Sequence, residues 1–573
     1  MARISLENFL TQLVSGKNQR ITSLPGSSLS WLTTLIQKNI HKPILLIVSD
    51  SQQVKTFSSE IVCFSQVPPL LFPALDYYQI SKSDTTKERV GTLAKILKHQ
   101  AQIVIAEAIS LFQPTIPKSL LEHYLIELKP AMKINRDEFI EQLISAGYQV
   151  VHMVSEPGEL SIRGGIVDLF SPTSHSPARI EWFGEEIDSI RLFDPTTQRS
   201  KEKVEEYLVS PAGELVITKE RAEKLKQKIF RLAEELKKER SDMGRVSYVP
   251  SLQEITGSLE RVEHFYGEER FLFLIDGKHS LLEHLEKDWL LFIVEEMMVN
   301  KNLDNIAKKA EQDWARLTAG GSLLPSPKQI FLESELVNQA IDQFQNIAIG
   351  PFLKGEIKKE LGRELEIKIG FGYEEEKELS FEPNPDLRFE PRLPEPISKL
   401  INEIKKLNQE GFNIIVVSSS SSQTEKLSEL FRGQGIYPGE ISGAEEFFTP
   451  RWPIAIGIGE IREGFKVSEL GLAIISEREV FGERIKKPGI SKEILEWREE
   501  DLSDLEPGDY VVHIKHGVGI YRGMKEVRVY SFEKWDYLAQ RERPSIAQHC
   551  LEIEYADSAR LYLPVDQVNQ LQK

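Results

Sequence analysis

Residues 41–120 alternate short apolar runs with amphipathic stretches. The segments PILLIVS (43–49) and QIVIAEA (102–108) are continuous apolar runs, which are typical of strands buried on both faces. Between them, VKTFSSEIVCF (54–64) predicts a helix, and WLTTLIQKNI (31–40) predicts an earlier one. Because strands separated by helices usually form parallel sheets, this part of the chain predicts an α/β domain.

The pattern changes between residues 150 and 210, where apolar and polar positions alternate over shorter distances. Turn-forming residues separate four short runs: YQVVHMV (148–154), GGIVDLF (164–170), ARIEWF (178–183) and DSIRLF (188–193). This spacing predicts a small, antiparallel-rich domain inserted into the α/β region.

Residues 221–240 predict an amphipathic helix, because Leu225, Ile229, Leu232 and Leu236 share one helical face. A basic helix of this kind could bind nucleic acid. Glutamates interleave its lysines, however, so we favour an ordinary solvated helix.

The segment NIIVVSSSSSQTEKLSELF (413–431) predicts a strand, a turn and a helix. Its serine run could hold a phosphate, but we favour a helix N-cap, in which a serine oxygen accepts from a free helix amide. Proline-rich or charged segments at 381–396 and 491–504 predict connectors between domains.

Composition narrows the class of protein. With 573 residues the chain is too long for one core, and about four domains are expected. The net charge of −17 argues against a dedicated DNA-binding protein but allows a local basic patch. No apolar run is long enough to span a membrane, the N-terminal segment is a poor signal peptide, and the only cysteines are Cys63 and Cys550. These features predict a cytoplasmic protein without a disulfide framework.

Neither a catalytic nor a metal site is predicted. Paired catalytic carboxylates, a Ser-His-Asp order and a nucleophile elbow do not stand out in the sequence. His513 and His516 are close together, but no further cluster of metal ligands surrounds them, so a turn is the better interpretation.

The loop SLPGSSLS (23–30) precedes a predicted helix, where a phosphate-binding loop would have the pattern G-x-x-x-x-G-K-[ST]. Ser23 and Ser28 replace the glycines, Leu29 replaces the lysine, and only Ser30 matches. An ordinary turn and a decayed nucleotide site both remain open. Without the lysine charge most phosphate affinity should be lost, so ATP hydrolysis is not predicted.

Two parts of the chain resemble the excision-repair protein UvrB. The first is FPALDYYQ (72–79) with TTKERVGTLAKIL (85–97), and the second is RGGIVDLFSP (163–172) with RIEWFGEEIDSIRLFDPTTQRS (179–200). UvrB has the loop lysine, and a long DNA-clamping β-hairpin follows its two tyrosines. Here only a few residues follow Tyr78 before the next predicted helix, so the chain resembles UvrB without its ATP site and its DNA clamp.

That combination, together with three further segments, is similar to the bacterial transcription-repair coupling factor (Mfd) family over the full chain. GFKVSELGLAIISEREVFGER (464–484) looks like the end of the family's third domain. PGDYVVHIKHGVGIYRGM (507–524) and LEIEYADSARLYLPVDQVNQLQK (551–573) look like its RNA polymerase-interacting domain. The family continues into a double-stranded DNA translocase motor. The resemblance therefore implies an N-terminal fragment, with no cofactor of its own, in which ATP, magnesium and DNA belong to the missing motor.

The resemblance also implies a division of this α/β multidomain chain: 1–118, a UvrB-like α/β domain with a degenerate phosphate loop; 119–210, an inserted small α+β domain that binds UvrA; 211–384, the rest of the UvrB-like domain; 385–487, a further α/β domain of unknown role; 488–501, a linker; and 502–573, a Tudor-like β-barrel that binds RNA polymerase.

In the inserted domain, the resemblance implies that Arg163, Arg179 and Phe183 contact UvrA. Two arginines can bind carboxylates with both ends of the guanidinium, and a phenylalanine beside them can anchor an apolar centre. The alternative, that the arginines pair internally with Asp168 or Glu181, stays open.

In the C-terminal domain, the resemblance names the RNA polymerase β subunit as the partner. The contacts are predicted in the strand GIYRGMKEV (519–527): Tyr521, Met524, Lys525 and Val527. Neither side of this strand is strongly apolar, which predicts an edge strand that binds its partner by strand addition. The alternative is that the long segment 528–549 folds over this edge and pairs with it.

The predicted function is a non-catalytic scaffold that connects stalled RNA polymerase to UvrA. One alternative is an active UvrB-like ATPase or helicase subunit, which Leu29 and the missing hairpin disfavour. Another is a polymerase-binding regulator without a repair role, which the UvrB-like match at 163–200 disfavours.

Overall fold

A computed structural model gives the fold of the chain. The residues that it describes are 18–22, 24–78, 85–238, 252–265, 267–319, 323–350, 367–369, 375–378, 381–388, 397–482, 510–513, 517–530, 545–554, 560–564 and 571–572. The chain forms two compact units, Met1–Glu483 and Arg484–Lys573.

The first unit is built on a seven-stranded sheet in which every pair of neighbours is parallel. The strands, in order across the sheet, are Glu375–Glu378, Gln19–Thr22, Gln345–Ile349, Leu290–Val294, Ile44–Val48, Ile103–Glu107 and Leu70–Phe72. The two predicted buried strands, Ile44–Val48 and Ile103–Glu107, are confirmed, and they are neighbours in this sheet. Their side chains alternate between two separate cores, one on each face of the sheet, so both faces are covered.

A six-stranded sheet forms the inserted domain, and its strands follow one another across the sheet. In order they are Ser200–Lys203, Glu186–Phe193, Ala178–Phe183, Ile166–Leu169, Glu159–Arg163 and Gln149–Val150. All pairs are antiparallel except the last, as the alternating pattern predicts. A small two-stranded sheet of Ile126–Leu128 and Tyr207–Val209 closes the domain where it enters and leaves the first one.

A second six-stranded sheet lies further along the chain in the same unit. Its strands, in order, are Phe381–Glu382, Phe465–Val467, Leu472–Ser476, Asn413–Ser418, Ile454–Ile458 and Gly439–Glu440. One face of this sheet shares its core with the first sheet, through residues such as Val417 and Phe465. Trp31 lies in this shared core and donates its indole N–H to the carbonyl of Phe447 at 3.0 Å.

Helices cover these sheets. The α-helices are Ser28–Ile40, Ser51–Ser65, Thr85–Leu97, Lys118–Tyr124, Arg136–Ser145, Lys219–Lys238, Leu252–Glu260, Leu272–Asp276, Glu296–Ala319, Pro327–Ile330, Ser334–Ile341, Ser398–Gln409, Ser421–Gly433 and Glu477–Phe481. Short 3-10 helices are Ala108–Phe112, Glu268–Phe271, Leu281–His284 and Ala444–Phe447. The predicted amphipathic face of Lys219–Lys238 is confirmed at Leu225, Ile229 and Leu232, which are buried, whereas the side chain of Leu236 lies outside the described residues.

The serine run after Asn413–Ser418 differs from the prediction in one detail. Ser420 occupies the N-cap position of Ser421–Gly433, but its side chain makes no capping hydrogen bond. Instead, the buried carboxylate of Glu477 accepts from the backbone N–H of Ser419 at 2.8 Å. A carboxylate from a distant helix thus provides the negative charge that helix N-termini favour.

The second unit contains a five-stranded antiparallel sheet. Its strands, in order, are Arg560–Pro564, Ser545–Glu554, Gly517–Tyr530, Tyr510–His513 and Leu571–Gln572. His513 lies in a strand, and His516 lies outside the described residues.

Within the described residues, 521–527 pair with another strand on one side only, as an edge strand does. Gly517–Tyr530 pairs with Tyr510–His513 at its start, from Gly517 to Ile520, and with Ser545–Glu554 from Ile520 to Tyr530. The end of the 528–549 segment contributes to that one partner, because His549 and Gln548 are opposite Glu526 and Val527. The alternation of side chains could not show this, because it reports the two faces of a strand and not whether its N–H and C=O groups already have partners.

Candidate functional site

The sheet of the inserted domain has an inner and an outer face. Ala178 and Ile180 are buried in the core of the domain, while Arg179 and Glu181 are half-buried and Phe183 is exposed. Arg179, Glu181 and Phe183 therefore share one face of the strand. They belong to the outer face.

Phe183 is the most exposed large apolar side chain of the described residues, with 85% of its surface accessible. It ends the strand Ala178–Phe183, and the next residue, Gly184, has a positive φ of 64° that forms the hairpin turn. An apolar ring in this position contributes almost no burial to the fold. Exposure of this kind is typical of a side chain that a partner covers.

Arg179 is already engaged within the domain. Its Nε and Nη2 atoms donate to the two carboxylate oxygens of Asp168, both at 2.8 Å, and the guanidinium lies 4.9 Å from the centre of the Phe193 ring. The hydrogen bonds to Asp168 raise the pKa of Arg179 above its usual value. The internal pairing that the sequence left open is present here, and it holds the guanidinium in one orientation on the outer face.

Arg163 is exposed, and its Nη2 atom donates to the backbone carbonyl of His152 at 2.7 Å. Glu181, the other carboxylate considered for it, accepts instead from the hydroxyl of Ser189 at 3.1 Å. Arg163 lies on the same face as Arg179 but in a different row, because its register partners are Ile166 and then Glu181, whereas Arg179 is opposite Asp168.

Sequence reasoning missed Arg191 on this face. Arg191 is directly opposite Arg179 in the register of the hairpin. Its Nε atom is buried and finds no hydrogen-bond partner in the part of the chain that the structure describes. The alternation in DSIRLF placed Arg191 on one face, but only the register shows which residue lies beside it.

The degenerate phosphate loop is packed against the second α/β sheet. Ser23 lies outside the described residues, whereas Ser28, Leu29 and Ser30 are buried in the first turn of Ser28–Ile40. Gly26 has a positive φ of 56°, and a Cβ atom there would be 2.7 Å from the carbonyl oxygen of Gly464.

The carboxylate of Glu60 lies at this loop. Its two oxygens accept from the hydroxyls of Ser27 and Ser30, each at 2.6 Å, and from the backbone N–H of Arg462 at 3.2 Å. Glu60 is 1% exposed, and burial raises the pKa of its carboxyl group. The backbone N–H of Ser27 donates to the carbonyl of Glu463 at 2.9 Å.

This arrangement is unfavourable for a nucleotide phosphate. A phosphate loop needs free backbone N–H groups and a positive charge. Here the first N–H binds a carbonyl, an internal carboxylate takes the hydroxyls, and Leu29 supplies no charge. Glu60 was not singled out from the sequence, because nothing in VKTFSSEIVCF indicates that this glutamate is buried beside a loop thirty residues earlier.

Four residues of the C-terminal sheet were predicted to contact a partner. Tyr521 is buried, which raises the pKa of its hydroxyl group, while Lys525 is exposed. Lys525 is opposite Cys550 in the hairpin. Met524 and Val527 lie in the same strand, and their side chains are outside the described residues.

The described residues contain no group of three or more His, Cys, Asp or Glu side chains arranged to hold a metal ion. Among them, no helix is both long and apolar enough to cross a membrane.

Comparison with known proteins gives matches in three separate parts of the chain. Residues 126–215 match the UvrB interaction domain, residues 407–480 match the MFD D3 domain, and residues 505–573 match the CarD-like/TRCF RID domain. The first match contains the outer-face residues of the inserted sheet, and the third contains the five-stranded antiparallel sheet.

Curated whole proteins are also similar over nearly the full length of this chain. The chain is 26% identical over 575 residues to a transcription-repair-coupling factor of Bacillus subtilis (strain 168), covering 97% of this chain and 45% of that protein. It is 24% identical over 576 residues to the transcription-repair-coupling factor of Staphylococcus aureus (strain MRSA252), covering 98% of this chain and 46% of that protein. The chain thus spans about half the length of the curated relatives that it matches, and it is similar to these transcription-repair-coupling factors over nearly its whole length.

Proposed function

We propose that this chain is a non-catalytic scaffold of transcription-coupled DNA repair that connects stalled RNA polymerase to UvrA. The inserted domain (119–210) would bind UvrA, and the C-terminal domain (502–573) would bind the polymerase β subunit. The observation that carries the proposal is an exposed phenylalanine on the same face as an arginine that a carboxylate holds in place, on a domain that matches the UvrB interaction domain. DNA translocation would belong to the double-stranded DNA translocase motor that the resemblance implies.

On the UvrA side, the outer face combines the features of an energetic hot spot. Phe183 offers a large apolar ring, and on the same face two hydrogen bonds to Asp168 already hold the side chain of Arg179 in one orientation. A side chain that is already ordered loses less entropy when the complex forms. The UvrB-like character of the surrounding α/β domain is part of the same proposal.

On the polymerase side, residues 521–527 pair with Ser545–Glu554 on one side, and strand addition would use the other side, which has no partner strand among the described residues. The exposed side chain of Lys525 would add a charged contact. Lys525→Pro would not test it, because proline would disturb the protein's own hairpin. A Tudor-like barrel for this unit remains part of the proposal.

A bridging assay tests this function. The chain is immobilised through a tag, and capture of purified UvrA and of the purified polymerase β subunit is measured separately and together. The wild-type chain is expected to retain both proteins at once. Phe183→Ala should lose UvrA, at a cost of about 2 kcal/mol or more, and keep the β subunit. Lys525→Glu should show the reverse pattern, since it reverses the charge of an exposed side chain in the C-terminal domain.

The two variants control for each other, because each must keep the binding that the other loses. An unchanged melting temperature is expected for Phe183→Ala, since the ring is exposed. Failure of the wild-type chain to bind either protein would contradict the proposed function. Loss of both partners by one variant would indicate a folding defect instead.

The chain is not expected to bind or hydrolyse ATP. The carboxylate of Glu60 and the carbonyl of Glu463 occupy the donors of the loop, and a phosphate there would meet negative charge. Titration calorimetry with ATP and magnesium should show no heat of binding, and a phosphate-release assay should show no turnover. ATP turnover that is lost on Ser30→Ala would contradict this prediction and favour the ATPase alternative.

A further inference from the structure

A continuous row of polar side chains crosses the outer face of the inserted sheet. Successive register partners on five adjacent strands define it: Ser161, Asp168, Arg179, Arg191 and Lys203. The row therefore contains three neighbouring basic residues and a single acid. Phe183 and Glu181 lie on the same face, further along the central strand.

The charges of this row are not balanced within the domain. Asp168 is 1% exposed, and both of its oxygens accept from Arg179. Arg191 stands on the other side of Arg179, with a buried Nε atom that has no partner among the described residues. Like charges directly opposite each other on neighbouring strands destabilise a sheet, and a buried donor without an acceptor adds to that cost.

We propose that Arg191 and Arg179 together form a subsite for one carboxylate side chain of the protein that docks on this face. The inference rests on the proposed function, in which that protein is UvrA. A carboxylate would separate the two positive charges, and the half-buried side chain of Arg191 would turn to bring its buried Nε atom to that acceptor. Planar guanidinium groups bind carboxylates with two parallel hydrogen bonds, so the subsite would select an aspartate or a glutamate at a defined position.

The surroundings favour an acidic protein side chain over nucleic acid. Glu181 lies on the same strand and the same face, and its charge would repel the successive phosphates of a nucleic acid backbone. Phe183 offers an apolar contact next to the charged row. A docking protein that presents one carboxylate to the arginines and an apolar pocket to Phe183 would fit both the charged row and the exposed ring.

The test is the affinity of the whole chain for purified UvrA, measured by calorimetry at two salt concentrations. Arg191→Gln is expected to weaken binding by about 30-fold, since it removes one partner of a desolvated charge pair. The decrease of affinity with added salt should also be smaller for this variant. Arg191→Lys keeps the positive charge but lacks the planar guanidinium, so its affinity for UvrA should lie between those of the wild type and Arg191→Gln. Lys129→Gln, which removes an exposed charge elsewhere in the same domain, should bind like the wild type.

The melting temperature separates binding from folding. For Arg191→Gln it should stay the same or rise, because a like-charge contact is removed. A clear decrease in the melting temperature would show that Arg191 supports the fold, and would overturn the proposal. Unchanged affinity of Arg191→Gln, in an assay where Phe183→Ala loses binding, would overturn the subsite and leave the proposed function standing. If the wild type does not bind UvrA, the proposed function itself fails. If double-stranded DNA competes with UvrA for this site, the ligand of the two arginines is a phosphate and not an acidic side chain, and the inference is overturned.

Discussion

Glu60→Ala is expected to lower the free energy of unfolding of the first unit by about 3 kcal/mol, because it leaves buried donors without an acceptor. The hydroxyls of Ser27 and Ser30 belong to the loop and helix beside the seven-stranded sheet, and the N–H of Arg462 belongs to the region of the second six-stranded sheet. All three donate to the carboxylate of Glu60. Urea unfolding followed by tryptophan fluorescence should report the loss, since Trp31 lies in the shared core.

Glu445→Ala is the matched control. Glu445 also connects the region of the second six-stranded sheet to the region of the seven-stranded sheet, because it forms an ion pair with Lys38 at 2.7 Å. Its side chain, however, is 78% exposed. An exposed ion pair contributes less than about 1 kcal/mol, so the control should unfold almost like the wild type. Equal effects of the two substitutions would contradict the role that we assign to burial at Glu60.

The same carboxyl group predicts a pH dependence. Burial raises the pKa of Glu60 above its usual value of 4.5. A raised pKa in the folded state means that the contribution of this group is fully present below the unfolded pKa and is lost as the pH rises through the folded pKa. Glu60→Gln does not titrate. The stability of the wild type relative to Glu60→Gln should therefore decrease as the pH is raised above 4.5, and a constant difference would contradict this.

Arg89→Met is expected to destabilise the first unit by about 3–5 kcal/mol, because it leaves a buried carboxylate without its counter-ion. Arg89 and Glu214 are both completely buried and are joined at 3.1 Å. Arg89 also donates to the carbonyls of Pro73 and Pro114, so it connects the first helix after the tyrosine pair to the segment that leaves the inserted domain. Thermal unfolding measures the effect.

Glu214→Gln should cost less than Arg89→Met, because the amide oxygen can still accept from the arginine and the backbone carbonyls remain. Lys98→Met provides the control, since Lys98 makes a partly exposed pair with Glu127 at 3.3 Å between the same two parts of the chain. Its loss should change stability by less than about 1 kcal/mol. A small effect of Arg89→Met would show that the buried pair contributes little beyond its surroundings.

Much of the secondary structure could be predicted from periodicity. Continuous apolar runs gave the parallel strands Ile44–Val48 and Ile103–Glu107, and alternation gave the antiparallel strands of the inserted domain. These patterns are local consequences of burial on one face or on two, and they do not depend on what lies on the other side of the core. The same alternation correctly placed Arg179 and Phe183 on one face.

The candidate site was predicted less completely. Resemblance pointed to Arg179 and Phe183, but only the structure separates a guanidinium held by Asp168 from a ring that is almost fully exposed. Arg191 was missed because its neighbour is set by the hairpin register. The strand that pairs with residues 519–527 was not predicted, because it comes from a segment twenty or more residues away.

The sequence by itself determined that this chain has mixed α/β domains, a small inserted sheet, and a loop without the lysine of a nucleotide site. Tertiary structure alone decided what fills that loop, because Glu60 and Arg462 are 402 positions apart in the chain and meet only when two sheets pack together. Local patterns record how each segment meets water or a core, whereas the pairing of buried polar groups depends on which distant segments share that core.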